Sequence, residues 1–151
     1  MHTLVRRYIK TAIIYLAVGL GIGGWMIVRR ELFGRYPSPY VVSAHTHALF
    51  VGFIMMMILG VALWLFPRPE KGDVRYSPRL AGAAYWMLAG GTGVRVVGEL
   101  LRASVGAVWL RVLVVLAGFA QIAGILLFFY TTWSRIRPVG SKVREAKGER
   151  F

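Results

Sequence analysis

Four long apolar stretches take up most of this sequence and leave little chain between them. They cover approximately residues 8–28, 40–66, 80–101 and 107–133. Each is long enough to cross a hydrocarbon core about 30 Å thick, which requires about 20 helical residues. Because the connections are short, consecutive helices must run antiparallel. The sequence therefore predicts an all-α integral membrane protein, an antiparallel bundle of four transmembrane helices.

Composition supports the same class. Hydrophobic residues make up 57% of the 151 residues, whereas soluble domains contain about 45–50%. The chain has no room for a separate soluble domain, so we predict a transmembrane domain over residues 1–134 and a basic cytoplasmic tail over residues 135–151. There are no cysteines, which excludes disulfides, thiolate metal ligands and covalently attached haem of the c type.

The positive charges are unevenly divided between the two predicted sides of the membrane. Of the 19 lysines and arginines, thirteen fall on the amino terminus, the second connection and the carboxyl tail, and six fall elsewhere. Positively charged flanks face the cytoplasm. The sequence thus predicts a multi-pass protein of the cell inner (plasma) membrane with both termini cytoplasmic. The net charge of +13 is assigned to contact with anionic lipid headgroups and not with nucleic acid.

Prolines and glycines mark where the predicted helices end and where they approach one another. Pro39 precedes the second helix, Pro67 follows it, and Pro78 opens the third at its first turn. Gly19 and Gly23 thin the first helix on one side, and small residues allow helix backbones to come close in lipid. Another group of glycines lies in the third helix around Arg95: Gly90, Gly91, Gly93 and Gly98.

Residues 43–60, SAHTHALFVGFIMMMILG, place two histidines at the head of an apolar run. At 100° per residue His45 and His47 point about 200° apart, which disfavours a simple two-histidine chelate. The face of His45 continues through Ala48 and Gly52 and would form a groove for a flat macrocycle. We therefore predict haem b as a cofactor, with His45 as axial iron ligand and His47 as an alternative or as the ligand from a neighbouring protomer.

Charged residues of the third and fourth helices are expected at a similar depth. Arg95 and Glu99 lie near the end of the third helix and Arg111 near the start of the fourth. Arg95, Arg111 or Arg102 could supply cations for the haem propionates. The alternative is structural, because Arg95 and Glu99 have the spacing of an i,i+4 ion pair.

The segment SAHTHALFVGFIMMMILGVALWLFPRP resembles the second transmembrane helix of the catalytic subunit of haem-copper oxidases and nitric oxide reductases. In that family an early histidine of this helix is an axial ligand of the low-spin haem, and His45 occupies the matching position. The resemblance covers about 27 residues. The full subunit has about twelve helices and further histidines at a copper site, whereas this chain has none after His47, so the resemblance does not extend to a haem-copper catalytic centre.

These observations predict that the chain is a membrane haem b protein that transfers electrons or binds a diatomic gas. The expected redox partner is a quinone or another electron carrier, and self-association would supply a second haem ligand, so a homo-oligomer is expected. A haem-dependent oxidoreductase activity stays open. Two alternatives remain at this stage: a metal-ion transporter using His45, His47 and Glu99, and an accessory subunit of a larger membrane complex without haem.

Overall fold

The computed structural model describes residues 3–69, 72–137 and 140–148, and within these ranges it contains helices and no strand. The predicted all-α class is confirmed. Four long helices are followed by a single 3-10 turn, Trp133–Arg135, and a short helix α5, Ser141–Glu145. The long helices are α1 (Thr3–Phe33), α2 (Pro39–Leu65), α3 (Pro78–Arg102) and α4 (Val108–Thr132). Residues 138–139 and 149–151 of the predicted tail lie outside the described residues.

Helix boundaries follow the prolines. Pro39 occupies the first turn of α2 after the extended residue Ser38, and Phe66 leaves the helix in an extended conformation before Pro67. Pro78 opens α3, where the preceding side chain of Ser77 accepts a hydrogen bond from the Arg79 amide at 3.3 Å. Proline is tolerated at the first helical position because the amide it lacks would have no intrahelical partner there.

Helix α2 is not regular along its length. Its first part, Pro39–His47, is α-helical, the next eight residues, Ala48–Met55, form a π-helix, and the last part, Met56–Leu65, is α-helical again. The wider winding begins directly after the second histidine. From Ala48 onward, the side chains therefore point in different directions from those of a regular α-helix. π-Helical segments occur frequently at functional sites.

Close helix contacts are made at glycines. A Cβ atom added at Gly124 of α4 would lie 2.8 Å from the backbone nitrogen of Leu88, and one at Gly91 of α3 would lie 3.0 Å from the carbonyl oxygen of Ala117. The backbones of α3 and α4 are therefore in direct contact. Gly91, Gly93 and Gly98 of α3 therefore serve close packing against neighbouring helices, whereas an added Cβ at Gly82 or Gly90 would have no atom within 4 Å.

Helix α1 packs along α2, and α2 packs along α3. We call the end at which α1 and α3 finish and α2 and α4 begin the site end, and the opposite end the tail end. Near the tail end Tyr8 of α1 joins Tyr85 and Phe128 in edge-to-face ring contacts, with centroids 5.1 and 5.9 Å apart. All three rings are buried, so this cluster connects α1, α3 and α4.

Three of the helices, α1, α2 and α4 with its 3-10 extension, are long and apolar enough to cross a membrane. This supports a membrane protein. Helix α3 falls outside that group, since it carries Arg95, Glu99 and many glycines. Its 25 residues are nevertheless about 37 Å long at 1.5 Å per residue.

At the tail end the connection between α2 and α3 is attached to the end of α4. Arg135 is buried, and its Nε donates to the carbonyl oxygen of Pro67 at 2.7 Å. The Ser134 hydroxyl donates to Oδ2 of Asp73. Arg135, the first residue of the predicted tail, is thus packed against the helical domain.

Asp73 should make this attachment sensitive to acid. The hydroxyl of Ser134, together with the Arg75 amide 3.0 Å from Oδ1, holds the pKa of Asp73 below its usual value. A lowered folded-state pKa contributes stability above the unfolded value of about 3.9, and this contribution is lost as pH falls through the folded pKa. In the cysteine-free chain, a spin label at Val74→Cys should therefore gain mobility below about pH 4. The same label in an Asp73→Asn background should be mobile throughout, and a pH-dependent label in that background would contradict the assignment.

Candidate functional site

His45 points from α2 toward α1. Its Nδ1 lies 2.9 Å from the carbonyl oxygen of Gly19. A carbonyl only accepts hydrogen bonds, so Nδ1 carries a hydrogen and donates it, and in the neutral ring Nε2 keeps a free electron pair. Nε2 has no hydrogen-bond partner among the described residues. This is the state in which an imidazole binds a metal, with the other ring nitrogen held by a carbonyl.

Two glycines of α1 allow the ring to sit there. A Cβ at Gly23 would lie 2.7 Å from Cε1 of His45, and a Cβ at Gly19 would lie 2.4 Å from the side chain of Leu49. A larger residue at Gly23 would have to displace the imidazole, and one at Gly19 the side chain of Leu49. The predicted close approach at the thin side of α1 is confirmed, and it serves to receive the imidazole.

A groove opens beside His45 at the site end, between α1 and α2. Its volume is about 710 Å³, and its lining is mainly apolar, with a cation at one side. Its lining includes Leu20, Gly24, Met26, Arg30, His45 and Leu49. Arg30 is half exposed and its Nε lies 2.7 Å from Oε1 of the adjacent Glu31.

His47 points to a different surface, toward α3. Its Nδ1 lies 2.8 Å from the carbonyl oxygen of Ser43 and 3.8 Å from Oε2 of Glu99. The Ser43 hydroxyl donates to Oε1 of Glu99 at 2.8 Å. The prediction that the two histidines have different surroundings is confirmed.

Glu99 is the centre of this second cluster. It is 4% exposed, and its Oε1 also receives a hydrogen bond from Nε of Arg95 at 3.1 Å. Nη1 of Arg95 donates to Gln121 of α4 at 3.2 Å, and the Gln121 amide donates to Thr92 at 3.0 Å. The cluster therefore joins α2, α3 and α4 through polar side chains.

The structure divides the predicted site residues between two surfaces. His45 borders the α1–α2 groove, whereas His47 and Arg95 belong to the cluster around Glu99. A regular α-helix for α2 predicted a groove that passes over Ala48 and Gly52. The observed groove does not include these two residues. Ala48 is fully buried beside Ala44 and Val96, and the ring of Tyr15 covers Gly52, where an added Cβ would lie 2.4 Å from Cγ.

The remaining predicted cations also have other surroundings. Arg95 is occupied by Glu99 and Gln121, which is the i,i+4 ion pair considered as the alternative. Arg102 donates to the Tyr40 hydroxyl at 2.8 Å and stacks on its ring. Arg111 is exposed on α4 and does not line the groove.

Sequence reasoning missed several residues of both surfaces. Gln121 is a lone amide in the apolar run AGFAQIAGI, and that isolation was a usable signal because buried amides need partners. Gly24 and Arg30 gave no comparable signal, since their contribution depends on the path of α1. In the part of the chain that the structure describes, no group of three or more His, Asp or Glu side chains could hold a metal ion.

Comparison of the chain with protein-family models, curated proteins and solved structures finds no match.

Proposed function

We propose that this chain is a membrane haem b protein in which His45 is an axial ligand of the iron. The observation that carries the proposal is the hydrogen bond of Nδ1 to the Gly19 carbonyl at 2.9 Å. This bond leaves the lone pair of Nε2 free to coordinate a metal beside an open groove. Neutral imidazole is a usual axial ligand of haem iron. The resemblance of residues 43–69 to a haem-ligating helix points to the same residue.

The residues of the groove fit a haem better than they fit a polar ligand. Leu20 and Leu49 form apolar walls, and the glycine at position 24 leaves space between them. Arg30 would supply the cation for a propionate, in place of Arg95 and Arg111. The fit is confined to the α1–α2 side, because protein atoms cover Ala48 and Gly52.

Helix placement in the membrane is part of the proposal. We place α3 as a fourth crossing, with Arg95 and Glu99 paired inside the bundle, because intramembrane charges normally pair with one another and face the interior. The distribution of lysine and arginine puts both termini on the cytoplasmic side of the inner membrane. The groove then opens at the outer end.

A haem in this groove would supply reversible one-electron transfer, or a site for a diatomic gas. This chain's part is to hold the ring against α1 and to exclude water with apolar walls. A quinone dissolved in the membrane would be a suitable exchange partner for an electron. A second imidazole, if the iron takes one, would come from a neighbouring copy, whereas Met26 in the groove lining would supply a thioether ligand.

The test is the optical and pyridine-haem spectrum of protein purified after expression with ample haem. We expect a Soret band and a haem b product in the wild type, and complete loss of bound haem in His45→Ala. The neighbouring variant His47→Ala should keep the haem. A colourless wild type would overturn the proposal and favour an accessory subunit, and full haem content in His45→Ala would remove the ligand.

A second pair of variants tests the groove itself. Gly24 lines it and has no atom within 4 Å of an added Cβ, so Gly24→Phe should fill the space without moving His45. Gly21 is equally open but lies outside the groove lining, which makes Gly21→Phe the control. We expect at least a tenfold lower haem content in Gly24→Phe and no change in Gly21→Phe. Equal haem in both would place the cofactor elsewhere.

A further inference from the structure

Arg135, at the tail end, is a buried cation that forms no ion pair with a carboxylate of the described residues. The residue is 8% exposed. Its Nε donates to the carbonyl oxygen of Pro67 at 2.7 Å, and its Cζ lies 5.8 Å from the ring centroid of Tyr76. Buried charges in proteins are normally paired. The surroundings of this guanidinium therefore lack an anion.

Asp73, in the adjacent α2–α3 connection, does not fill this role because both of its oxygens are occupied. The Ser134 hydroxyl donates to Oδ2, and the Arg75 amide donates to Oδ1 at 3.0 Å. Asp73 thus attaches the connection to the end of α4. The side chain of Arg75 is exposed in the same connection. Arg75 and Arg135 together carry one positive charge more than Asp73 neutralises.

Two nitrogens of the Arg135 guanidinium are available to a ligand. Nη1 and Nη2 have no hydrogen-bond partner in the part of the chain that the structure describes, and neither is sealed from the surface. The bond to Pro67 and the ring of Tyr76 hold the guanidinium in place, so these two groups form a fixed fork. Such a fork matches two oxygens of a phosphate, and charge-assisted hydrogen bonds of this kind are among the stronger ones in proteins.

The level of Arg135 along the bundle identifies the source of the phosphate. Trp133 after α4 and Trp64 near the end of α2 are exposed, and tryptophan is enriched where the hydrocarbon core meets the lipid headgroups. Arg135 follows Trp133 by two residues, and Pro67 follows Trp64 by three. The guanidinium therefore lies at headgroup level. This step rests on the placement of the helices in a membrane that we propose above, and it does not depend on haem.

We propose that Arg135 binds the phosphate of an anionic phospholipid at the tail end of the bundle, with Arg75 as a second cation. Nη1 and Nη2 donate to two phosphate oxygens, and the exposed rings of Trp64 and Trp133 contact the lipid beside them. An anionic headgroup is favoured because this surface already carries an excess of positive charge. The site is one defined position and differs from a general attraction of the basic tail to the membrane surface.

The experiment is native mass spectrometry of the full chain in detergent micelles, titrated with dioleoyl phosphatidylglycerol, with dioleoyl phosphatidylcholine or with inorganic phosphate. We expect a single phosphatidylglycerol to bind, about tenfold more tightly than phosphatidylcholine, which has the same acyl chains. Arg135→Gln removes the charge and the fork, and it should weaken phosphatidylglycerol binding by about tenfold or more. The control Arg35→Gln removes an exposed arginine at the site end and should leave the affinity unchanged.

Arg75→Gln keeps the test decisive if Arg135→Gln does not fold, because it retains the backbone amide that binds Asp73. It should weaken phosphatidylglycerol binding by about fivefold. The lipid site is overturned if the Arg135 and Arg75 variants bind phosphatidylglycerol like the wild type, if Arg35→Gln weakens it equally, or if an equal concentration of inorganic phosphate displaces it.

The two proposals can fail separately. The haem groove lies at the site end, so haem content should be the same in the Arg135, Arg75 and Arg35 variants. A colourless wild type that still binds phosphatidylglycerol through Arg135 would remove the haem and support the lipid site. A wild type that contains haem but does not prefer phosphatidylglycerol would overturn the lipid site alone.

Discussion

Gly124→Ala is expected to destabilise the protein by about 1–3 kcal/mol, the usual cost of forcing extra atoms into a packed interior. The added Cβ would lie 2.8 Å from the Leu88 nitrogen and 3.1 Å from the Ala84 oxygen. Both are backbone atoms of α3, so the contact cannot be relieved by a change of rotamer. The two helices must separate, and their separation would also disturb the hydrogen bonds of Gln121 one turn away.

Gly90→Ala is the matched control. Gly90 lies on α3, and an added Cβ there has no atom within 4 Å. Alanine should stabilise the helix at this position by about 0.5–1 kcal/mol through its higher propensity. Unfolding of both variants by SDS in mixed micelles measures the difference. If Gly124→Ala unfolds at the same SDS fraction as Gly90→Ala, the close contact of α3 and α4 does not exist in solution.

The elements of this fold were readable from the sequence because they depend on local chemistry. Apolar length predicted the helices, and prolines predicted where they begin and end, because Pro39 and Pro78 fix the backbone and lack an amide hydrogen. Depth along a helix follows from residue count alone, which is why Arg95 and Glu99 were expected near the level of His45. Their i,i+4 spacing allowed the ion pair that was the alternative to propionate binding by Arg95. None of these arguments requires knowledge of how the helices are rotated against one another.

The rotation of the helices was the part that sequence could not supply. The expected groove over Ala48 and Gly52 assumed 100° per residue along α2, but the π-helical segment begins at Ala48. No residue type in that segment predicts a π-helix, nor that the ring of Tyr15 from α1 covers Gly52 within it. The groove therefore opens on the α1 side, where Gly24 and Arg30 could be identified only from the structure.

Glu99→Ala is expected to have a larger effect than deletion of the exposed Arg30–Glu31 pair. Removal of the carboxylate leaves the Arg95 guanidinium between the helices without its anionic partner and takes the acceptor from the Ser43 hydroxyl. Loss of one partner of a buried pair costs about 3–5 kcal/mol. Arg95 keeps 26% side-chain exposure, which reduces the uncompensated charge, so we expect about 2–4 kcal/mol.

Glu31→Ala provides the comparison at the surface. The Arg30–Glu31 pair has a short contact of 2.7 Å, but its side chains are 53% and 59% exposed, and exposed pairs contribute about 0–1 kcal/mol. Glu99→Gln should fall between the two alanine variants, because the amide oxygen can still accept from Ser43 while the charge is lost. SDS unfolding of the three variants gives the order directly. If Glu99→Ala lowers the free energy of unfolding as little as Glu31→Ala does, water already reaches Arg95. The cluster would then be an exposed ion pair and would not connect three helices.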